Sequence, residues 1–174
     1  MRQHLFSPVF IWPTNNLKMI NFLIANSIEE YKHAADLFKQ YAAWLNVDLS
    51  FQNFEAELME LKTMYSAPSG GIILCRTADE FVACVAIRKI NNDTAELKRM
   101  YVQPAYQGQG IAKKLLEKAI ELAKVANYTC IRLDTLNYML PAINLYKKKG
   151  FVEISAYYHN PNASAIYFEL VIKS

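Results

Sequence analysis

ELKRMYV (96–102), QPAYQ (103–107), GQGIAKKLLEKAIELAKVA (108–126), YTCIRLDT (128–135) and PAINLYKKKGF (141–151) follow one another through the second half of this 174-residue chain. The first run alternates as a strand does, and the second is a turn. Gly108 and Gly110 then open a helix, after which come a second strand and a short helix bearing Tyr146. Glycines where a strand becomes a helix let backbone N–H groups converge on an anion. The segment therefore predicts a ligand that carries phosphate.

The helix after Gly110 has Ile111, Leu115, Ala119, Leu122 and Ala126 on one side. Lys113, Lys114, Glu117, Lys118, Glu121 and Lys124 take much of the other, the pattern of a helix with one face on a sheet. The N–H groups of its first turn lack intrahelical partners, and the dipole favours negative charge there. The lysines at 113 and 114 oppose that dipole, and a bound anion would relieve the conflict. Two phosphate loops can be tested against the run. GxxxxGK[ST] is missing, and GxGxxG fits Gly108 and Gly110 but meets Lys113 at its third glycine. Asp134 does end the following strand, where a ribose-binding acid of a dinucleotide fold would lie. The connection 103–107 is longer than that fold's first turn, and too few strands follow for a second nucleotide half.

Outward from this segment, 20–25 reads as a strand, with Asn26 or Ser27 capping a helix over 28–45. A second helix is expected over 51–65, with Phe54, Leu58, Leu61 and Met64 along it. Pro68, Gly70 and Gly71 break the chain, and the runs 72–76 and 81–90 form an antiparallel hairpin. Strands are expected at 94–102, 151–158 and 165–171. Two strands joined by a helix as long as that after Gly110 are parallel, with a right-handed crossover. The fold class is α/β: a mixed, mostly antiparallel central sheet with helices on both faces.

The length suits one domain over 19–174. Residues 1–18, broken by Pro8 and Pro13, read as a peripheral arm or as sequence ahead of a natural start at Met19. They are too short and interrupted to span a bilayer. A net charge of +3 is far below that of a dedicated nucleic-acid binder. Cys75, Cys84 and Cys130 form no CxxC pair, and His4, His33 and His159 lie far apart, so neither a disulfide framework nor a metal site is expected. Buried free thiols point to a reducing cytoplasm.

Gln107, Gly110 and Ala112, spaced as Q-x-x-G-x-A, resemble the acyl-CoA pyrophosphate motif of the GCN5-related N-acetyltransferases. ELKRMYVQPAYQGQGIAKKLL is similar to that family's strand, turn and helix as a unit. AINLYKKKGF resembles its last helix, with Tyr146 at the family tyrosine and Gly150-Phe151 at its GF pair. The likeness is specific over 96–170 and a matter of element order before that. The family often has Asn seven residues ahead of the tyrosine; here Met139 stands there and Asn137 lies two residues earlier.

The resemblance implies direct acetyl transfer from acetyl-CoA to a primary amine, without a metal. The backbone of Met100, Tyr101 and Val102 would hold pantetheine and the thioester carbonyl. Amides of Gln107, Gly108, Gln109, Gly110, Ile111 and Ala112 would hold the pyrophosphate, with Asn137 a further contact. Tyr146 is the expected general acid for the leaving thiolate, and Glu96 the expected base, directly or through water. Two rivals stay open: a non-catalytic acyl-CoA-binding module, and a nucleotide-binding oxidoreductase using the two glycines and Asp134. Tyr41, Trp44, Asp48, Tyr157, Tyr158 and His159 could edge an acceptor cleft. Polyamine, antibiotic, amino acid, peptide N-terminus and lysine all fit as small-molecule or peptide acceptors. The final strands offer edges on which a homodimer could form.

Overall fold

The computed structural model describes residues 20–172. The expected arm over 1–18 and the start at Met19 lie outside the described residues. The order is β1 (Asn21–Ile24), α1 (Ile28–Leu45), α2 (Phe54–Met59), α3 (Leu61–Met64), β2 (Gly71–Arg76), β3 (Phe81–Lys89), β4 (Thr94–Val102), α4 (Ile111–Val125), β5 (Cys130–Leu136), α5 (Leu140–Lys148), β6 (Val152–Ile154) and β7 (Ala165–Val171).

The strands form one sheet in the order β1-β2-β3-β4-β5-β7-β6. Every neighbouring pair is antiparallel except β4 and β5, which α4 joins in parallel. Side chains alternate across a strand, so β2 feeds both faces. Ile73 and Cys75 join a core with Leu115, Leu116, Ala119 and Ala123 of α4 and with Ile143 and Tyr146 of α5. Ile72 and Leu74 join the opposite core with Ala34, Leu37 and Phe38 of α1, Phe54 of α2 and Leu61 of α3. The expected mixed sheet, clad on both faces, is what forms.

Local chemistry sets the boundaries. The Ser27 hydroxyl accepts from the Glu30 amide while the Glu30 carboxylate accepts from the Ser27 amide, a reciprocal cap at the start of α1. Asn46, at φ 51°, ends that helix in the left-handed region. The helix expected over 51–65 is in fact a 3-10 turn (Ser50–Gln52) and two short helices. Asn53 at φ 55° divides the turn from α2, and Glu60 divides α2 from α3. The strand expected over 151–158 pairs only through Val152–Ile154. Beyond it, the Asn160 and Asn162 side chains accept from the amides of Asn162 and Ser164, the local bonding that makes turns instead of ladders. Cys75 and Cys84 are buried free thiols, whereas Cys130, expected buried, is half-exposed at the mouth of β5.

Candidate active site

The ladder between β4 and β5 holds for Thr94↔Cys130, Ala95↔Ile131 and Glu96↔Arg132, and then stops. β4 continues to Val102 and β5 to Leu136, so the two strands part over most of their length. A bulge in β4 helps to bend it away. Cys84 opposes Tyr101 and Ala86 opposes Lys98, which leaves one extra residue on β4. Arg99 takes up the excess at φ 55°, and the Cys84 thiol donates to its carbonyl at 3.3 Å. Into the gap opens a cleft walled by Lys98, Arg99 and Met100 from β4 and by Asp134, Thr135 and Leu136 from β5. Tyr41, Met139, Ala142 and Tyr146 complete it, together with Asn160 and Asn162 from the loop before β7.

After β4 the chain makes a 3-10 turn (Pro104–Tyr106) and reaches Gly108 at φ 75° and Gly110 at φ 79°. A side chain at either would meet nothing within 4 Å, so the glycines serve a backbone conformation and an open approach rather than tight packing. The first amide of α4 to bond back is that of Lys114, onto Gly110 O at 3.2 Å. The amides just ahead of it belong to the unpaired first turn of a helix. Gln107's own amide already donates to Pro104 O at 3.3 Å, and its side-chain amide ties the turn to Val102 O at 3.0 Å. Of the expected amide ring, then, Gly108 to Ala112 stand at the helix start ahead of the first bonded amide, and Gln107 braces the turn.

Pro141 in its first turn and Lys147 and Lys148 in its last suit α5 to its place, with Gly150 beyond at φ 92°. This helix carries Tyr146 inward to the cleft, packed on Phe151 and Phe168 at ring distances of 5.8 and 6.3 Å. Burial, with Tyr41 and Asp134 adding to it, pushes the Tyr146 phenol well above its ordinary range. Asn137 is exposed where β5 ends, its amide donating to Ser164 O, while Met139 lines the cleft. Met100 faces the cleft; Tyr101 packs instead against Tyr41 and Trp44 of α1. Val102 joins the core under α4. Asp48 caps its own turn by accepting from the Ser50 amide and hydroxyl.

Glu96 is 4% exposed and lies in a second cavity beside the first. Its Oε2 accepts from Arg88 Nε at 2.7 Å and its Oε1 from the Tyr157 hydroxyl at 2.8 Å. It sits among further buried charges that sequence reading missed. Lys98 Nζ lies 3.9 Å from Glu96 Oε1 and 3.9 Å from Asp134 Oδ1. Arg99 reaches the other way, donating through two nitrogens to Glu57 of α2, which also accepts from the Tyr65 hydroxyl at 2.6 Å. Charged residues are seldom so buried unless paired. The only sequence signal was their density, three charges within 96–99 and Glu57 on an otherwise apolar helix face. Among the described residues no group of His, Cys, Asp and Glu is placed to hold a metal ion. No helix there is long and apolar enough to cross a membrane.

The chain is similar to known proteins in sequence and in fold. Residues 34–151 match the acetyltransferase (GNAT) family. An uncharacterized N-acetyltransferase of Dictyostelium discoideum is 30% identical over 83% of this chain and 95% of its own length. One of Schizosaccharomyces pombe is 31% identical over 90% and 95%. Among solved structures, an acetyltransferase of Salmonella typhimurium, determined with its cofactor acetyl-CoA, superposes with a TM-score of 0.62 at 15% identity, covering 88% of this chain and 94% of that one.

Proposed function

This chain belongs to the acetyltransferase (GNAT) family and is an N-acetyltransferase that moves an acetyl group directly to an amine; we propose that acetyl-CoA lies along the parting of β4 and β5 with its diphosphate at Gly108–Ala112, and that Tyr146 and Glu96 move the protons. The observation that carries the proposal is the ladder that ends at Glu96↔Arg132 below a helix start opened by two left-handed glycines. Backbone beyond that pair has no strand to bond to on its cleft side, and an extended amide-bearing arm fits such an edge. The open space at Gly108 and Gly110 suits a diphosphate.

Bound acetyl-CoA supplies an activated acyl group, and the protein supplies position and protons. The backbone of Met100, Tyr101 and Val102 holds the arm and the carbonyl. Asn137 lies on the exposed rim and meets the donor there only by a shift of its loop. Tyr146 stays protonated at neutral pH and donates to the departing sulfur. A thiol ordinarily titrates near 8.5, below this phenol, so the transfer depends on burial raising the thiolate as well. Glu96 takes the amine's proton through the Tyr157 hydroxyl. That phenol already donates to Glu96, and burial together with the Glu96 charge pushes it far up, so it would pass its proton to Glu96 only as it takes one from the amine, and ends the step a neutral phenol. The thiols support transfer without an acyl-enzyme. Burial raises Cys75 and Cys130 to about 11, so neither is a thiolate nucleophile at neutral pH. The proposed setting is the cytoplasm, where acyl-CoA and reduced thiols coexist.

The test is CoA release from acetyl-CoA across a broad amine panel, repeated with Tyr146→Phe. Amine-dependent release that falls at least a hundredfold in the variant supports the assignment. Full-rate release by Tyr146→Phe removes Tyr146 from it.

A further inference from the structure

We infer that the acceptor is a small amine bearing a carboxylate on the same short skeleton, an amino acid or a close analogue, and that Lys98 holds that carboxylate where two cavities meet; the inference deepens the acetyl-transfer reading and rests on it. Phe51, Gln52 and Lys98 line both the donor cleft and the second, broader cavity, so they form the wall between them. An acceptor entering by the second cavity meets the thioester side at that wall.

Lys98 is the unusual member. Its side chain is 5% exposed, yet its two acids stand at 3.9 Å, past hydrogen-bond range. One hydrogen bond goes to Gln52 Oε1 at 3.2 Å. An ammonium has three donors and no acceptor, so two remain for an oxygen at the junction. Burying a charge with so little direct bonding is costly unless a ligand completes the shell. Burial already pushes the Lys98 ammonium below its ordinary range, which an arriving carboxylate would reverse.

The rest of the second cavity favours the same ligand. Its charged walls are Arg88, Lys89 and Lys98 against Glu96 alone. Arg88 directs both Nε and one terminal nitrogen onto Glu96 Oε2 and keeps further N–H groups for a second oxygen. A polyamine would bring more positive charge to this wall. A carboxylate would accept charge-assisted bonds, the stronger class, from these cations.

The experiment compares matched acceptors: amino acids including β-alanine, their carboxamides, and linear diamines, each with acetyl-CoA and wild-type protein or Lys98→Met. Wild type should use the best acid with kcat/KM about tenfold or more above its amide. Lys98→Met, assayed like wild type at saturating acetyl-CoA, should erase that ratio. Equal or better use of amides or diamines by wild type, or a preference that survives in Lys98→Met, overturns the inference. Calorimetric titration of the N-acetylated acids and their amides reads the same contact without turnover. Tighter binding of the acid by wild type is expected, and equal binding refutes Lys98's role even if no amine is acetylated. Failure of every amine to release CoA, with the acid still bound preferentially, would instead count against the transfer reading.

Discussion

Glu57 and Arg99, 42 residues apart, meet in a buried ion pair that joins α2 to the bulged residue of β4. Arg99 needs the left-handed conformation at φ 55°, which for a residue with a Cβ costs about 1–2 kcal/mol. The Glu57 carboxylate, itself anchored by Tyr65, holds the guanidinium that holds that backbone, and the Phe54 ring lies 5.1 Å from the guanidinium carbon.

Glu57→Gln should destabilise the protein by about 3–5 kcal/mol, because removing one partner leaves the other charge buried. The urea midpoint at neutral pH reads this out. A loss below about 1 kcal/mol would mean the pair does not hold the bulge.

The same pair sets an acid limit. Burial alone would raise the Glu57 carboxyl, but the hydrogen bond and charge of Arg99 outweigh it and leave it below its ordinary range. A depressed folded value contributes stability above the unfolded value of about 4.3, and the contribution is lost as pH falls through the folded value. Unfolding midpoints should therefore hold from neutrality to about pH 5 and fall below it, with a shallower fall in Glu57→Gln. Parallel curves for the two proteins would place the acid sensitivity elsewhere.

Much of this was legible in the residues, for identifiable reasons. The Ser27–Glu30 cap, the Gly108 and Gly110 turn and the tyrosine helix depend on local chemistry, which spacing reveals. The single helix expected over 51–65 fails because Asn53 goes left-handed, and because α2 turns Glu57 inward to meet a strand that sequence cannot place beside it. Lys98, Asp134, Asn160 and Asn162 reach the cleft only through tertiary folding. Asp134 stood out only as an acid at a strand end, and none of the other three sits in a spacing that distinguishes it from an ordinary strand or loop residue.

Gly110→Ala adds a methyl group that meets nothing within 4 Å, so packing is spared. The strain at φ 79° remains and should cost about 1 kcal/mol. We expect a small drop in melting temperature and a KM for acetyl-CoA raised severalfold with kcat nearly kept. Unchanged donor KM would detach the glycine turn from donor binding.

Glu96→Gln keeps the shape of the side chain but cannot take a proton from Tyr157. If the relay operates, kcat/KM should fall most at low pH, where the amine is most fully protonated. A pH–rate profile that merely shifts down in parallel would show Glu96 to be a structural partner of Arg88.

Three backbone pairings join the β1–β4 part of the sheet to the β5–β7 part. A donor arm lying above them, as proposed, would stand in for the neighbour each strand lacks. The sheet accordingly has a seam, and whatever fills the seam would knit the two parts into one body. Amide hydrogen exchange should then slow on both flanks of the gap as the donor enters, with the two parts responding together although the donor touches only their facing margins.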